Sequence, residues 1–359
     1  MTKNLPALEL SILLLLTTCG IPSIAFSQQG GPIADLQDNI AQIEATIAEL
    51  TQSAGSISTT IDCVNEQTVS AFIDAHSDTS APLIITVKGK CTENILLTRG
   101  RVVLKGDPTD GLDEITAADI NETVLFVNGA NEIVIEHLAI TGNIPSLFSN
   151  ASGIGCRANS AVTISNVEVT RARNGITAGM SGQCDVTDSN IHDNNGFGLL
   201  AVNNGALFVL DTQITGNGNG GVRADRGGHA SVFASQNSPL GVEISDNNGN
   251  GIEAVAGGSV RVSGSQFPGP STRLFIRGNT GAGVFIGNMG MFEPIAWVSF
   301  LDNAMGGIVC SLGSPNQPPP NPPPPFGAFE LRWRFQGTLD FFGNGGEGDL
   351  SAQCPVTSP

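Results

Sequence analysis

The apolar positions of this chain fall into short runs that return at a nearly fixed interval. In NNGFGLLAVNNGALFVLDTQITGNGNGGV, an Asn stands four residues before a Gly and a small aliphatic follows that Gly. Asn217 and Gly221 then repeat Asn194 and Gly198 after 23 residues. From Gly153 onward the marker recurs as Gly153-Ile, Gly175-Ile, Gly198-Leu, Gly221-Val, Gly251-Ile, Gly283-Val, Gly307-Ile and Gly348-Asp. The intervals are 22, 23, 23, 30, 32, 24 and 41. The unit is about 23 residues, and the longer intervals hold insertions at 235–240 and 266–272 and a stiff Pro-rich loop at 315–325.

Two further columns keep the same register. Seven residues before the Gly stand Ile191, Ile214, Ile244, Ile276, Phe300 and Phe341, and four before it stand Asn194, Asn217, Asn247, Asn279, Asn303 and Asn344. Such a unit is a coil of short strands that cannot bury its inner face alone. Stacked coils bury an aliphatic column and let each strand pair with the coils above and below. Asn at a tight corner tolerates left-handed backbone, and stacked Asn amides can bond along the column.

Upstream of the counted register, PLIITVKGKCTENILLTRGRVVLKG and TVLFVNGANEIVIEHLAIT are β-branched runs broken by Gly and Asn, and predict more strands. NEQTVSAFIDAH sets Val69, Phe72 and Ile73 on one face and predicts a short amphipathic helix. Before it, Ile33, Leu36, Ile40, Ile43, Ile47 and Leu50 alternate spacings of three and four, which is a heptad seam. Two readings stand: one amphipathic helix lying on its own domain, or a coiled coil that makes a homotrimer through 33–50. The Ser/Thr/Gly run from Thr51 to Thr60 reads as a tether.

The first residues read as an export signal. Lys3 supplies the positive end, Leu10 to Ile24 is a predominantly apolar run, and Ala25-Phe26-Ser27 predicts cleavage before Gln28. The organisation expected is therefore a signal peptide at 1–27, a helical segment and tether at 28–61, and a repeat domain at 62–359, in a secreted, periplasmic or cell-surface protein. Lipidation at Cys19 is the rival, but Leu16-Thr17-Thr18-Cys19 has Thr where a lipoprotein box has Gly or Ala. Membrane insertion is not expected, because the apolar run is short and broken by Gly20-Ile21-Pro22.

Composition then narrows the partners. The 359 residues include 45 Gly, 17 Phe, 2 Trp and no Tyr, and only 14% are charged, which suits many turns and short strands. A formal net charge of −17 offers no footprint for nucleic acid. It also repels polyanions unless calcium or a local basic patch intervenes. With Cys19 lost in the signal, six cysteines remain: Cys63, Cys91, Cys156, Cys184, Cys310 and Cys354. An even number in an oxidising compartment predicts disulfides, and sequential pairing would clip neighbouring coils at Cys63–Cys91 and Cys156–Cys184, each 28 residues apart. Zinc is the competing reading, opposed by the lack of any C-x-x-C and by four scattered His.

On these columns the chain resembles the right-handed parallel β-helix proteins of the pectin-lyase-like superfamily, over roughly Cys63 to Cys354. ITVKGKCTENILL followed by RVVLKG is similar to that superfamily's first coils, and the short helix is similar to its N-terminal plug. The resemblance implies an all-β, right-handed parallel β-helix solenoid with a short N-terminal helical segment. It implies no single activity, because the superfamily spans pectate lyases, polygalacturonases, uronate epimerases, phage tailspikes and adhesins. The enzymes' own signatures do not emerge. No clustered Asp set with Gly-His-Gly and Arg-x-Lys is present, and Gly227-Gly228-His229 is not that motif. Arg171, Arg173, Arg223 and Arg226 match no lyase signature, the epimerase Asp-Pro-His is missing, and Gly345 to Leu350 only hints at a calcium nonapeptide.

One constellation remains. With the −7 and −9 positions pointing inward, −6, −8 and −10 point outward. The register then sets Asp188 on Asp211, and Glu168, Asn190, Gln213 and Glu243 in the next column, beside His192. Carboxylates stacked about 4.8 Å apart repel, which raises one pKa or recruits a cation. Asp188, Asp211 and His192 are thus the catalytic candidates, and Asp188 with Asp211 the candidate Ca2+ ligands, although no cofactor is required. Glu168, Glu243, Arg273, Phe275, Arg277 and Trp297 on the same face are the candidate sugar contacts. The alternative is a polar outward face without function, and His137 likewise reads as a surface residue. Two function classes follow. The preferred one is an exported, non-catalytic module that contacts a polysaccharide or cell-surface glycan or acts in adhesion. The other is a polysaccharide-degrading lyase or glycoside hydrolase.

Overall fold

Each repeat forms one turn of a three-sided coil. In the turn marked by Gly153, Ser152–Arg157 lies in one sheet (sheet C), Ala161–Ser165 in a second (sheet A) and Glu168–Thr170 in a third (sheet B). The next turn repeats the order with Asn174–Gly179, Gln183–Thr187 and Asn190–His192, each parallel to its predecessor. The computed structural model describes residues 55–108, 111, 113–143, 151–235, 241–264, 274–295, 298–311, 330–332, 339–342 and 356–357, all within the unit Glu49–Pro359. Over these residues sheets A, B and C hold 12, 10 and 9 strands. The architecture is the right-handed parallel β-helix solenoid that the resemblance implies.

The aliphatic column is the core. Val169, Ile191, Ile214, Ile244, Ile276 and Phe300 stand in direct register down sheet B, and all are fully buried. The Gly column exists because of them. A Cβ on Gly198 would lie 2.6 Å from Ile214 Cγ2 and 2.8 Å from Asn217 Nδ2, and one on Gly251 would lie 2.6 Å from Ile276 Cγ2. The marker Gly of each turn, which faces the Ile of that turn's own sheet B strand, therefore has no room for a side chain.

The Asn column is a continuous buried ladder. The Asn194 amide donates to Asn217 Oδ1 at 3.0 Å, Asn217 to Asn247 at 3.0 Å, Asn247 to Asn279 at 3.0 Å and Asn279 to Asn303 at 2.9 Å. Each amide also caps a backbone carbonyl of the preceding coil, for example Asn217 Nδ2 to Ile191 O at 3.1 Å. The expected left-handed backbone is not at the Asn. It falls one residue earlier, at Asp193 (φ 52°), Gly216 (64°), Asp246 (55°), Gly278 (61°) and Asp302 (52°). That residue turns the corner in the open, leaving the Asn side chain free to point inward.

The expected helix is Val69–Ala75, which buries Val69 and Ile73 and packs Phe72 against the core. Glu93 of the first coil holds its N-terminus, accepting from Val69 N at 2.8 Å and Ser70 N at 3.0 Å. The tether expected over 51–60 is corrected at its end. Ile57–Asp62 is a strand paired with Leu83–Lys88, because Ile57, Thr59, Thr60 and Ile61 are β-branched as well as polar in part. Two of the expected disulfides are present, Cys63–Cys91 and Cys156–Cys184, with Cα atoms 5.0 and 6.2 Å apart. The second joins a sheet C strand to a sheet A strand of the next coil, inside the core. Cys310 is disulfide-bonded as well. Cys354, the export signal with Cys19, the heptad segment 33–50, the Pro-rich loop, Arg273 and Trp297 lie outside the described residues, as do 236–240 and 266–272 of the insertions.

Candidate functional site

The corner between sheets A and B carries the two stacked aspartates. Asp188 and Asp211 follow strands Gln183–Thr187 and Ala206–Leu210, and both adopt left-handed backbone, φ 47° and 49°. Asp188 N donates to Leu210 O at 3.1 Å, so the two residues occupy equivalent places one coil apart. Asn166 fills the same place one coil earlier with φ 52°, and His137 fills it one coil before that with φ 53°. Burial raises the Asp188 pKa above the ordinary carboxylate value, and the Asp211 charge raises it further. Asp211 is anchored, its Oδ1 accepting from Ser235 N at 2.7 Å.

His192 turns to other carboxylates. Its Nε2 lies 2.8 Å from Glu168 Oε1 and its Nδ1 2.9 Å from Asp193 Oδ2. Burial pulls its pKa down, but these two bonds and their charges outweigh it, and the net shift is upward. The outward column of sheet B runs Glu168, Asn190, Gln213, Glu243 and Phe275 in register, as the repeat implies. Glu243 is held by Arg277, with Oε1 2.8 Å from Nε and 2.7 Å from Nη2. The face thus assembles as ion pairs between neighbouring coils. Among the described residues no group of three or more His, Cys, Asp or Glu is placed to hold a metal ion, so Asp188 and Asp211 stand as a pair only.

A concave feature lies on sheet C instead. A cavity of about 310 Å³ is lined by Arg157, Arg173, Asn174, Phe197, Arg223, Asp225 and Arg226, among others. A second, of about 450 Å³, is lined by Leu96, Glu122, Phe126 and again Arg157. Sharing Arg157, the two form one trough across six consecutive strands, from Ile95–Leu97 to Gly220–Asp225, a span of about 24 Å at the usual strand spacing.

The trough is ordered by guanidinium contacts. The Arg223 guanidinium sits 5.2 Å from the centre of the Phe197 ring and is gripped from behind, Nη2 by Asp225 Oδ2 and Nη1 by Glu253 Oε2, both at 3.0 Å. Both carboxylates are buried, and burial holds the Glu253 pKa above its ordinary value despite Arg223. Arg157 lies 5.7 Å from the Phe126 ring centre. Asn174 Oδ1 fixes the Phe197 backbone, accepting from its N at 3.0 Å. Arg173 and Arg157 have no carboxylate partner among the described residues, and the buried Arg173 Nη1 finds no acceptor there.

Asp188, Asp211, His192, Glu168 and Glu243 line neither cavity. The repeat fixes which positions of sheet C face outward but not which of them carry the trough's side chains. Positions two and four after the marker Gly face outward on sheet C, where Gly155, Thr177, Leu200, Arg223 and Glu253 form one column. Reading the register outward from sheet B alone misses Phe126, Arg157, Asn174 and Phe197.

Residues 123–293 match a family model described as "Right handed beta helix region". Among solved structures, the chain is similar to the Azotobacter vinelandii mannuronan C-5 epimerase AlgE6 A-module at 15% identity and TM-score 0.44, covering 86% of this chain and 97% of that one. It is also similar to the Agl-KA catalytic domain at 15% identity and TM-score 0.42, covering 84% and 68%. No curated protein matches it. The three parallel sheets in coil-by-coil register give the chain the right-handed parallel β-helix fold, in keeping with the family match over 123–293.

Proposed function

We propose that the protein is an exported, non-catalytic β-helix that contacts a glycan through sheet C. One observation carries this reading: an extended trough combines half-buried Phe126 and Phe197 and exposed Leu96 with planar hydrogen-bonding groups at Asn174, Asn203 and four arginines. Sugars present apolar ring faces edged with hydroxyls, and such a lining suits both. The rigid coil sets these groups in advance, so little ordering cost accompanies binding. Export is supported by the apolar N-terminus and by disulfides that persist in oxidising compartments. No helix among the described residues is long and apolar enough to cross a membrane. The heptad segment at 33–50 would present several troughs together as a homotrimer, raising avidity for a repeating polymer.

A glycan array probed with the mature protein, with and without calcium, tests the reading. Binding that Phe197→Ala weakens, without product release, is the expected result. Turnover of a bound polysaccharide would replace it with the lyase or hydrolase alternative, and calcium-dependent binding lost in Asp188→Asn would move the site to the A–B corner.

A further inference from the structure

The turn from Asp113–Thr116 of sheet B to Leu125–Asn128 of sheet C carries a modification motif. Asn121-Glu122-Thr123 has the form Asn-x-Thr with no Pro between, in which an asparagine of an exported chain accepts an N-linked glycan. Asp119, two residues earlier, completes the stricter acidic form Asp-x-Asn-x-Thr. A second match, Asn150-Ala151-Ser152, begins outside the described residues, and its Ser152 is buried.

The fold fixes the backbone of this turn and leaves the asparagine open. Asn94, one residue before strand Ile95–Leu97, clamps it from inside. Its Nδ2 donates to the carbonyl oxygens of Asp119, Glu122 and Thr123 at 3.4, 3.3 and 3.1 Å, and its Oδ1 accepts from Asp119 N at 2.6 Å. Asp119 Oδ1 in turn accepts from Asn121 N at 2.8 Å, a local turn of the Asx kind. Asn121 and Glu122 are exposed. The Asn121 side-chain amide reaches Asp119 Oδ1 at 3.4 Å, a long bond at the surface, whereas the amides of the buried Asn ladder bond at 3.0 Å or less.

Two exposed aliphatic side chains stand beside it. Ile120 precedes it in the turn, and Leu96 lines the same cavity as Asn121. Among the described residues, strand Ile95–Leu97 is also the last of sheet C at this end, and an open strand edge invites pairing with another chain. A bulky hydrated group on Asn121 covers this corner. It leaves the cavity at Phe197 open, because Asn121 does not line it.

We infer that Asn121 carries an N-linked glycan, added during export. This rests on the exported reading above. In the transfer, Asn121 Nδ2 bonds to the anomeric carbon of a sugar carried on a lipid diphosphate. The bond from that carbon to the diphosphate oxygen breaks, the diphosphate leaves with the electron pair, and the nitrogen gives one proton to a base of the transferase. Thr123 supplies the hydroxyl that completes the motif. In the folded coil Thr123 is half-buried and its Oγ1 accepts from Ser152 N at 3.2 Å, so the motif is read before the coil closes. The finished coil then tolerates the product, since only Asn121 has to face solvent.

The experiment isolates the full chain from the exported fraction of the organism that makes it and localises added mass by fragmenting its peptides, in wild type, Asn121→Gln, Thr123→Ser and Thr123→Ala. Wild type should carry hexose or N-acetylhexosamine mass on Asn121, retained in Thr123→Ser and lost in Asn121→Gln and Thr123→Ala. Thr123→Ala keeps the asparagine, so the loss there separates enzymatic transfer from chemical modification of an exposed amide. An exported wild type with unmodified Asn121, or with sugar on Asn150 alone, overturns the inference, as does a modification that persists in Thr123→Ala. A chain retained in the cytoplasm with its cysteines reduced would overturn the exported reading, and this inference with it.

Discussion

The Asn217 side-chain amide donates to Asn247 Oδ1 at 3.0 Å across 30 residues of sequence, and the Asn217 backbone N donates to the same oxygen at 2.9 Å. One carbonyl oxygen thus satisfies two buried donors of the coil below. The ladder is how this solenoid keeps its corner dry, since a corner interrupts the strand hydrogen bonds that would otherwise occupy those groups.

Asn247→Ala should therefore destabilise more than a surface change. It orphans both Asn217 donors and removes the bond to Ile214 O. At about 1–3 kcal/mol for each of the two orphaned donors, a loss of about 2–6 kcal/mol is expected, read as a lower midpoint in denaturant melts. A loss under about 0.5 kcal/mol, typical of solvent-exposed positions, would show that the ladder does not hold the coils together.

Gly198→Ala tests the neighbouring column. The new methyl would lie 2.6 Å from Ile214 Cγ2, 2.8 Å from Asn217 Nδ2 and 3.0 Å from Gly221 O, of which the last is backbone and cannot step aside. Overpacking of this kind costs about 1–3 kcal/mol. The pair Gly198→Ala/Ile214→Ala, which removes the facing Cγ2, should cost less in thermal melts than the sum of the two single changes. A Gly198→Ala protein as stable as wild type would mean that the Gly column reflects something other than this close approach.

These columns show how far the sequence carries. The Gly, Ile and Asn positions were legible because each coil solves the same packing problem with the same residue, so one register describes them all. The Asn ladder was legible but not its backbone: the left-handed residue varies between Asp and Gly, at Asp193 and Gly216 for example, and so shows no column of its own. The strand Ile57–Asp62 was hidden because its Thr and Ser residues are equally common in linkers. The stacking of Asp188 on Asp211 followed from the 23-residue interval. The trough did not, because it depends on where long Arg side chains reach, and Arg157, Arg173 and Arg223 arrive there from different positions relative to their Gly markers.

His192 should make stability depend on pH. Burial lowers its pKa, but Asp193 and Glu168 hold the imidazolium and the net shift is upward. A His whose folded pKa exceeds the unfolded value, about 6.5, contributes stability that is fully present below that value. The contribution is lost as pH rises through the folded pKa. The melting-temperature difference between wild type and His192→Gln should thus be larger near pH 6 than near pH 9, both flanking that reference. A difference independent of pH, or one that grows toward alkaline pH, would show that the two carboxylates do not stabilise the cation.

Asp188→Asn separates surface from site at the A–B corner. Burial and the Asp211 charge raise the Asp188 pKa, so the folded state resists ionising this group. The sign is opposite to that of a salt-bridged carboxylate. Relative to the unfolded chain, whose Asp titrates near 3.9, the unperturbed balance holds at low pH, and stability is lost as pH rises through the folded value. Asparagine removes that penalty and fits the left-handed backbone, as Asn166 does in the same corner. The variant should therefore melt as high as wild type or slightly higher at neutral pH, with the difference fading toward about pH 3, below the reference value. Glycan binding on sheet C should not change, because neither aspartate lines the trough. If calcium raises the wild-type melting temperature and leaves Asp188→Asn unmoved, the stacked pair is a cation site. If the variant also loses polysaccharide cleavage, the corner is the active site of an enzyme.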